Sequence, residues 1–321
     1  MPDRSGLLFI GDPHLSGRPP GFRKDDYPRV TLDKLRWSIN YAIEQSLLPI
    51  LLGDLFHFPR DNANWLLVEL MQVLDPVRLG GPALAVPGNH DCRENTLRPD
   101  DTLAVLSAAG RLHLLDARGP WVGEMNHVTV TVGGTCWGQP LPESFAKTTD
   151  LVFWVTHHDL RFPGYEESAR ASCREVPGID AVINGHIHRQ LQDVTAGNTI
   201  WCNPGNVSRV SRGDACRAHQ PALLRVDINA DGWTRRRVAV PHLPFEEVFY
   251  PEVEGGEGPP DMMSEFVKGL RSLQQTRTAD GQALWQFLDE NLPAFEPGVA
   301  DAIRRLAKEV ITEARDGGGI D

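Results

Sequence analysis

Apolar positions along the chain follow two rhythms. Short unbroken runs at residues 7–10, 48–52, 83–86, 151–156 and 181–183 each end in a turn rich in Gly, Asp, Asn or His. Such runs, bounded by turn residues, predict strands buried on both faces. Between them the spacing becomes helical. Residues 31–46 carry Leu32, Leu35, Ile39, Ala42 and Ile43, residues 64–74 carry Leu66, Leu67, Leu70, Met71 and Leu74, and residues 102–109 form a shorter third case. Strand and helix in alternation predict an α/β architecture, with functional groups gathered beyond the carboxyl ends of the strands.

Further strands are expected around 128–132, 199–202, 223–228 and 236–240, with Asp231-Gly232 as a hairpin turn between the last two. They provide a second sheet, so the expected fold is a β-sandwich flanked by helices. A Pro- and Gly-rich stretch at 251–260 reads as the core of a linker, and helical periodicity returns at 261–275, 281–292 and 298–314. The organisation expected is therefore a main domain over 1–244, a linker over 245–260 and an acidic helical segment over 261–321.

Composition narrows the class. With 41% hydrophobic and 23% charged residues, a 321-residue chain builds a packed core. The net charge of −11 is concentrated after residue 245, so the main domain is near neutral and lacks the basic excess of a stable duplex binder. Five scattered cysteines without a Cys-x-x-Cys pair argue for reduced thiols. No apolar run approaches the ~20 residues a spanning helix needs, and the first run is too short for a signal-peptide core. A cytoplasmic protein with no membrane association is expected.

The turns carry the chemistry. Asp12-x-His14 puts a carboxylate and an imidazole on the same side of a strand end. Gly53-Asp54 follows a buried run, where an unpaired carboxylate is costly and a cation, an arginine or backbone N–H groups would satisfy it. Gly88-Asn89-His90-Asp91 offers an amide oxygen, an imidazole and a carboxylate together; His157-His158 offers two imidazoles, and Gly185-His186-x-His188 two more. Each turn alone reads more readily as a polar surface loop than as a ligand set. Five in this order, each after a strand, do not.

In these five blocks the sequence resembles the calcineurin-like metallophosphoesterases, whose pattern is Asp-x-His, Gly-Asp, Gly-Asn-His-Asp/Glu, a lone His and Gly-His-x-His. The resemblance implies a dinuclear centre at the strand ends. Asp12, His14 and His188 would hold one metal, Asn89, His157 and His186 the other, and Asp54 would bridge them. His157 is preferred to His158 because it comes first after the strand. Two divalent ions are implied, manganese first, with iron or zinc also suited to a mixed N/O ligand set. Such a pair clamps a phosphoryl group and acidifies a water for in-line attack. His90 would then serve the leaving oxygen, with Asp91 orienting its imidazole.

Motifs of this family set the chemistry and leave the substrate open. Gly53-Asp54-Leu55-Phe56-His57 with Val86-Pro87-Gly88-Asn89-His90-Asp91 resembles the SbcD-type exonuclease subunits of DNA repair, which also place a histidine at the position of His57. Asn203-Pro204-Gly205-Asn206 resembles their Pro-Gly-Ser turn, with Asn in place of Ser. Arg18, Arg23, Lys24, Arg60, Arg93, Arg98, Arg161, Arg189, Arg209 and Arg212 follow the ligand turns and would surround the metals with cations. A nuclease or phosphodiesterase acting on nucleic acid is the leading expectation, with the C-terminal helices as a contact for an ATPase partner or, more simply, as a cover for the sheet. A small nucleotide-like ester is the alternative substrate. A non-catalytic scaffold would show eroded ligand positions, and none is eroded.

Overall fold

The computed structural model describes residues 4–250, apart from 19–22, 117, 167–168 and 212–213, together with 288, 292 and 298–305. The chain divides into two units, Met1–Pro251 and Glu252–Asp321. The first contains, in order, β1 (Gly6–Ile10), α1 (Tyr27–Glu44), β2 (Leu47–Leu51), α2 (Asn64–Val73), α3 (Pro76–Leu79), β3 (Ala83–Ala85), α4 (Thr102–Ala108) and β4 (Leu112–Leu114). There follow β5 (Trp121–Met125), β6 (Val128–Thr135), β7 (Leu151–Thr156), β8 (Leu160–Arg161), β9 (Ala171–Ser172), β10 (Ala181–Asn184), β11 (Val194–Ala196) and β12 (Thr199–Cys202). The last elements are α5 (Asp214–Ala218), β13 (Ala222–Asn229), β14 (Gly232–Ala239) and α6 (Phe245–Val248).

Two six-stranded sheets result, ordered β14-β13-β1-β2-β3-β4 and β11-β12-β10-β7-β6-β5, with β8 and β9 as a separate pair. The expected α/β sandwich is the observed fold. Its centre is parallel in both sheets, and antiparallel strands close the β13–β14, β11 and β5 edges. Parallel register is what gathers the turns. Ile10 pairs with Leu51 and Leu51 with Ala85, so the turns after β1, β2 and β3 emerge side by side. Asn184 pairs with Thr156, which brings the turns after β7 and β10 together in the second sheet.

Alternation along each strand explains why these runs are apolar throughout. Leu7 and Phe9 face the second sheet, where they join Leu48, Ile50, Phe153, Val155 and Ile183. Leu8 and Ile10 face the other way, onto Leu32, Leu35 and Ile39 of α1 and Leu66 and Leu70 of α2. Helix α1 starts at Tyr27, earlier than its apolar spacing suggests. Asp26 accepts from the Arg29 N–H and Pro28 occupies the first turn, a start signal that lies outside the apolar repeat.

Strands β4, β5, β8, β9 and β11 go beyond the expected set. In β5, half-buried positions alternate with the exposed Val122 and Glu124, so no continuous apolar run marks this edge strand. Of the expected linker over 245–260, residues 245–250 are described and carry α6. Residues 251–260 lie outside the described residues, as do the expected helices over 261–275 and 281–292, save 288 and 292, whereas residues 298–305 are helical. Among the described residues, no helix is long and apolar enough to cross a membrane.

Candidate metal centre

The five turns converge on one buried cluster. A short ladder beyond the strand ends aligns the first two: His14 N–H donates to the Asp54 carbonyl at 2.9 Å, and Leu15 N–H to Leu55 at 2.8 Å. Asp12, His14, Asp54 and His186 all have positive φ, at 40°, 50°, 46° and 71°. Non-glycine residues pay roughly 1–3 kcal/mol each for such backbone, and the strain gathers at functional sites. Gly53, at φ 100°, and Gly88 are needed for a different reason. A Cβ on Gly53 would stand 2.3 Å from His157 Nδ1, and one on Gly88 would stand 2.1 Å from Asp54 Oδ1. Any side chain there would displace a candidate ligand.

Two groups of donor atoms share one carboxylate. Asp12, His14, Asp54 and His188 bring ligand atoms within 4.8 Å of one another, and so do Asp54, His157 and His186. In the first group His14 Nε2 lies 2.9 Å from His188 Nε2 and 3.6 Å from Asp54 Oδ2. In the second, His157 Nε2 lies 3.3 Å from the same Asp54 oxygen, and Asn89 Oδ1 is 3.1 Å from His157 Nε2 and 3.0 Å from His186 Nδ1. Bonds of ~2.0–2.2 Å to a common ion put neighbouring ligand atoms about 3 Å apart, which is the spacing found. The remaining carboxylate oxygens are tied back: Asp12 Oδ1 accepts from His186 N–H at 2.9 Å and Asp54 Oδ1 from His90 N–H at 2.8 Å.

Electrostatics favours a cation in both places. Asp12 is fully buried, its Oδ2 has no partner, and burial with the nearby Asp54 charge pushes its carboxyl up to about 7. Burial holds the His14 imidazole well below its usual value and lowers His188 to about 4, so both rings are neutral and have a lone pair to give. Burial would lower His157 too, yet Asp54 and Asp12 raise it to about 9, a proton partly offsetting buried negative charge. Imidazole, carboxylate and amide donors together fit manganese, iron or zinc. The residues present therefore fit a pair of divalent ions.

Ring orientation comes from outside the cluster. His157 Nδ1–H donates to the Leu52 carbonyl at 2.7 Å, turning Nε2 inward. His186 Nε2–H donates to Asp159 at 3.0 Å, which leaves Nδ1 facing Asn89, and Trp137 packs on the same ring with centroids 4.6 Å apart. Neither Asp159 nor Trp137 stands out in the sequence as a site residue. The only signal for Asp159 was its place in the turn after β7. His158 points away, toward Thr156 and the Gln139 carbonyl.

Beside the first group, His90 and His57 stack with centroids 5.1 Å apart. His90 Nδ1–H donates to the His57 carbonyl at 2.9 Å, so its Nε2 is the atom left free. This corrects the expectation for Asp91. The Asp91 carboxylate accepts from the N–H groups of Leu55, Phe56 and Gly88 at 3.2, 3.0 and 3.0 Å and does not orient His90. It staples the second turn to the third, since three backbone donors in a buried pocket outcompete a neighbouring half-buried ring.

Most of the cations that follow the ligand turns are engaged by protein partners. Arg23 pairs with Asp25; Arg60 and Arg93 share Asp100 and Asp101; Arg98 pairs with Glu94. Arg189 donates to the Gly164 carbonyl, Arg209 to those of His219 and Leu243, and Lys24 to that of Glu246. Arg18 and Arg161 remain exposed, and Arg212 lies outside the described residues.

Residues 6–190 match the family model of the calcineurin-like phosphoesterases, and the chain belongs to that family. It is a metal-dependent phosphoester hydrolase by that membership. No curated protein matches the chain. Among solved structures, it is similar to a hypothetical protein from Thermus thermophilus at 12% identity and TM-score 0.42, covering 73% of this chain and 99% of that one. A predicted phosphoesterase from Streptococcus pneumoniae gives 12% identity and TM-score 0.35, over 77% and 94% of the two chains. GAP50, described as the anchor in the inner membrane complex of Plasmodium, gives 9% and 0.43, over 79% and 91%.

Proposed function

We propose that this protein is a two-metal phosphodiesterase acting on nucleic acid, with single strands preferred over duplex. The observation that carries the reading is the set of side chains around the two donor groups. Neutral imidazoles line the first, an indole covers the second, and most of the neighbouring arginines are already engaged by protein partners. A phosphomonoester dianion brings one more negative charge to neutralise than a diester does, while either ester releases an oxygen that takes up a proton, so a scarcity of unengaged side-chain cations beside a histidine donor favours the diester.

When bound, the two ions supply charge neutralisation at the phosphoryl oxygens and a more acidic water. The protein's own residues then position and move protons. Asp54 Oδ2, common to both donor groups, would contribute to holding both ions. His90, whose Nδ1–H donates to the His57 carbonyl, would act with Nε2 protonated as well and pass that second proton to the leaving oxygen as the P–O bond to that oxygen breaks, returning to the neutral ring.

Phe58, 45% exposed and edge-on to His57, and Trp137, half-buried on His186, stand on the two sides of the centre. Both are suited to stacking against bases, which tolerates any sequence. The acidic chain and its engaged arginines offer little to a rigid duplex. They also favour a second reading, a small nucleotide diester. The SbcD-type resemblance and an ATPase partner at the C-terminal helices belong to the nucleic-acid reading and stand with it.

Cleavage of single-stranded DNA, duplex DNA and bis-p-nitrophenyl phosphate in manganese tests this. Phe58→Ala and Trp137→Ala should raise KM for the single strand about fivefold or more while changing the small ester less than twofold. Turnover of the small ester with DNA left intact would retire the nucleic-acid reading.

A further inference from the structure

A second cavity, of about 500 Å³, lies apart from the donor cluster, between the start of α1 and the segment around α6. Val30, Trp37, Pro241, Leu243 and Val248 form apolar walls, and three cationic side chains reach it. Arg23 has 2% side-chain exposure, Arg209 is 4% exposed and Lys34 is 8% exposed. Only Asp25 among the lining carboxylates is similarly buried, and Arg23 already holds it in a two-point pair. The other, Asp33, sits at the rim and pairs with Arg36.

Arg209 satisfies its donors on the carbonyls of His219 and Leu243. Lys34 does not. Among the described residues its ammonium makes one hydrogen bond, to the Val207 carbonyl at 3.2 Å, although it has three donors. Burial, with the nearby Arg23 and Arg209 charges, lowers it to about 8. Buried ammonium groups are kept where something anionic compensates them.

We propose that this cavity binds a small amphipathic anion, with a carboxylate or phosphate head on Lys34 and an apolar body against Trp37, Leu243 and Val248. Its volume falls within the ~300–1,000 Å³ of small-molecule sites, and apolar walls with a few convergent polar groups are their usual construction. The cavity is wired to the metal centre through the backbone. Tyr27, beneath the Arg23 guanidinium, donates its hydroxyl to the His14 carbonyl at 2.7 Å. Val207, whose carbonyl Lys34 holds, donates its own N–H in turn to the carbonyl of Gly11, next to Asp12, at 2.9 Å.

The test is calorimetric titration of the full-length, manganese-loaded chain with octanoate and octyl phosphate, the two heads on one tail. Wild type, Lys34→Met, Leu243→Asp and Asp54→Ala are compared, with folding checked by circular dichroism. Saturable binding of at least one probe is expected, weakened tenfold or more in both Lys34→Met and Leu243→Asp and retained in Asp54→Ala. The tighter probe names the head group. Should Lys34→Met fail to fold, Leu243→Asp at the half-exposed rim decides. Absence of saturable binding, or binding lost in Asp54→Ala and kept in the cavity variants, would overturn the proposal.

Discussion

Replacing Asp159 by alanine should weaken one metal site and spare the other. In the intact protein the Asp159 carboxylate accepts from His186 Nε2–H at 3.0 Å and from the Tyr165 hydroxyl at 3.0 Å, with 11% side-chain exposure. The first bond fixes which imidazole nitrogen faces Asn89. Without it the ring can rotate and its tautomer is free. Outer partners of this kind are worth about 10–100-fold in metal affinity, or roughly 1.4–2.7 kcal/mol. Trp137, packed on the same ring, still limits its motion, so the lower half of that range is expected. Nothing in the Asp12, His14 and His188 group rests on Asp159. Calorimetric titration of metal-stripped protein with Mn²⁺ should therefore show one class of sites weakened about tenfold and the other unchanged. Asp159→Asn keeps an acceptor and should recover most of the loss. Equal weakening of both classes, or unchanged affinity, would refute the reasoning.

Other outcomes follow from the same geometry. His90→Asn should lower kcat about 10²–10⁴-fold with metal content retained, as measured by single-turnover cleavage and metal analysis; loss of metal would make His90 a ligand. Phe9, fully buried between the sheets, should cost about 3–5 kcal/mol of stability on truncation to alanine, read from urea unfolding. His219 gives a pH signature. Burial lowers its imidazole from 6.5 to about 4, and Nε2–H donates to the Asn206 carbonyl while Nδ1 lies buried without a partner. The unfolded chain binds more protons in that window, so the neutral ring's contribution is complete above pH 6.5 and is lost as pH falls toward 4. It amounts to roughly 3 kcal/mol at most. In His219→Gln the melting temperature should fall less steeply across that interval.

The strand ends and their ligand turns were legible because a parallel sheet turns sequence order into spatial order. An apolar run followed by Asp12, Asp54 or Asn89 names both the strand and the place where its side chain emerges. Orientation beyond the turn was not legible. Asp91 follows His90 directly, yet its carboxylate turns to three backbone donors, because neighbours in a tight turn point in different directions. Asp159 and Trp137 act on His186 from 27 and 49 positions away, on segments without a repeating pattern. The partners of the arginines were hidden for a related reason. Asp100 and Asp101 lie close by in the chain, and only the fold shows that they hold Arg60 and Arg93.

The proposed function, a phosphodiesterase whose two ions Asp54 would help to hold, is tested most directly by bis-p-nitrophenyl phosphate hydrolysis. Activity would be followed after metal removal, during manganese add-back, and in Asp54→Ala. The account predicts no turnover without metal, recovery complete at two equivalents per chain, and no recovery in Asp54→Ala. Turnover that survives metal removal or the loss of Asp54 would contradict it.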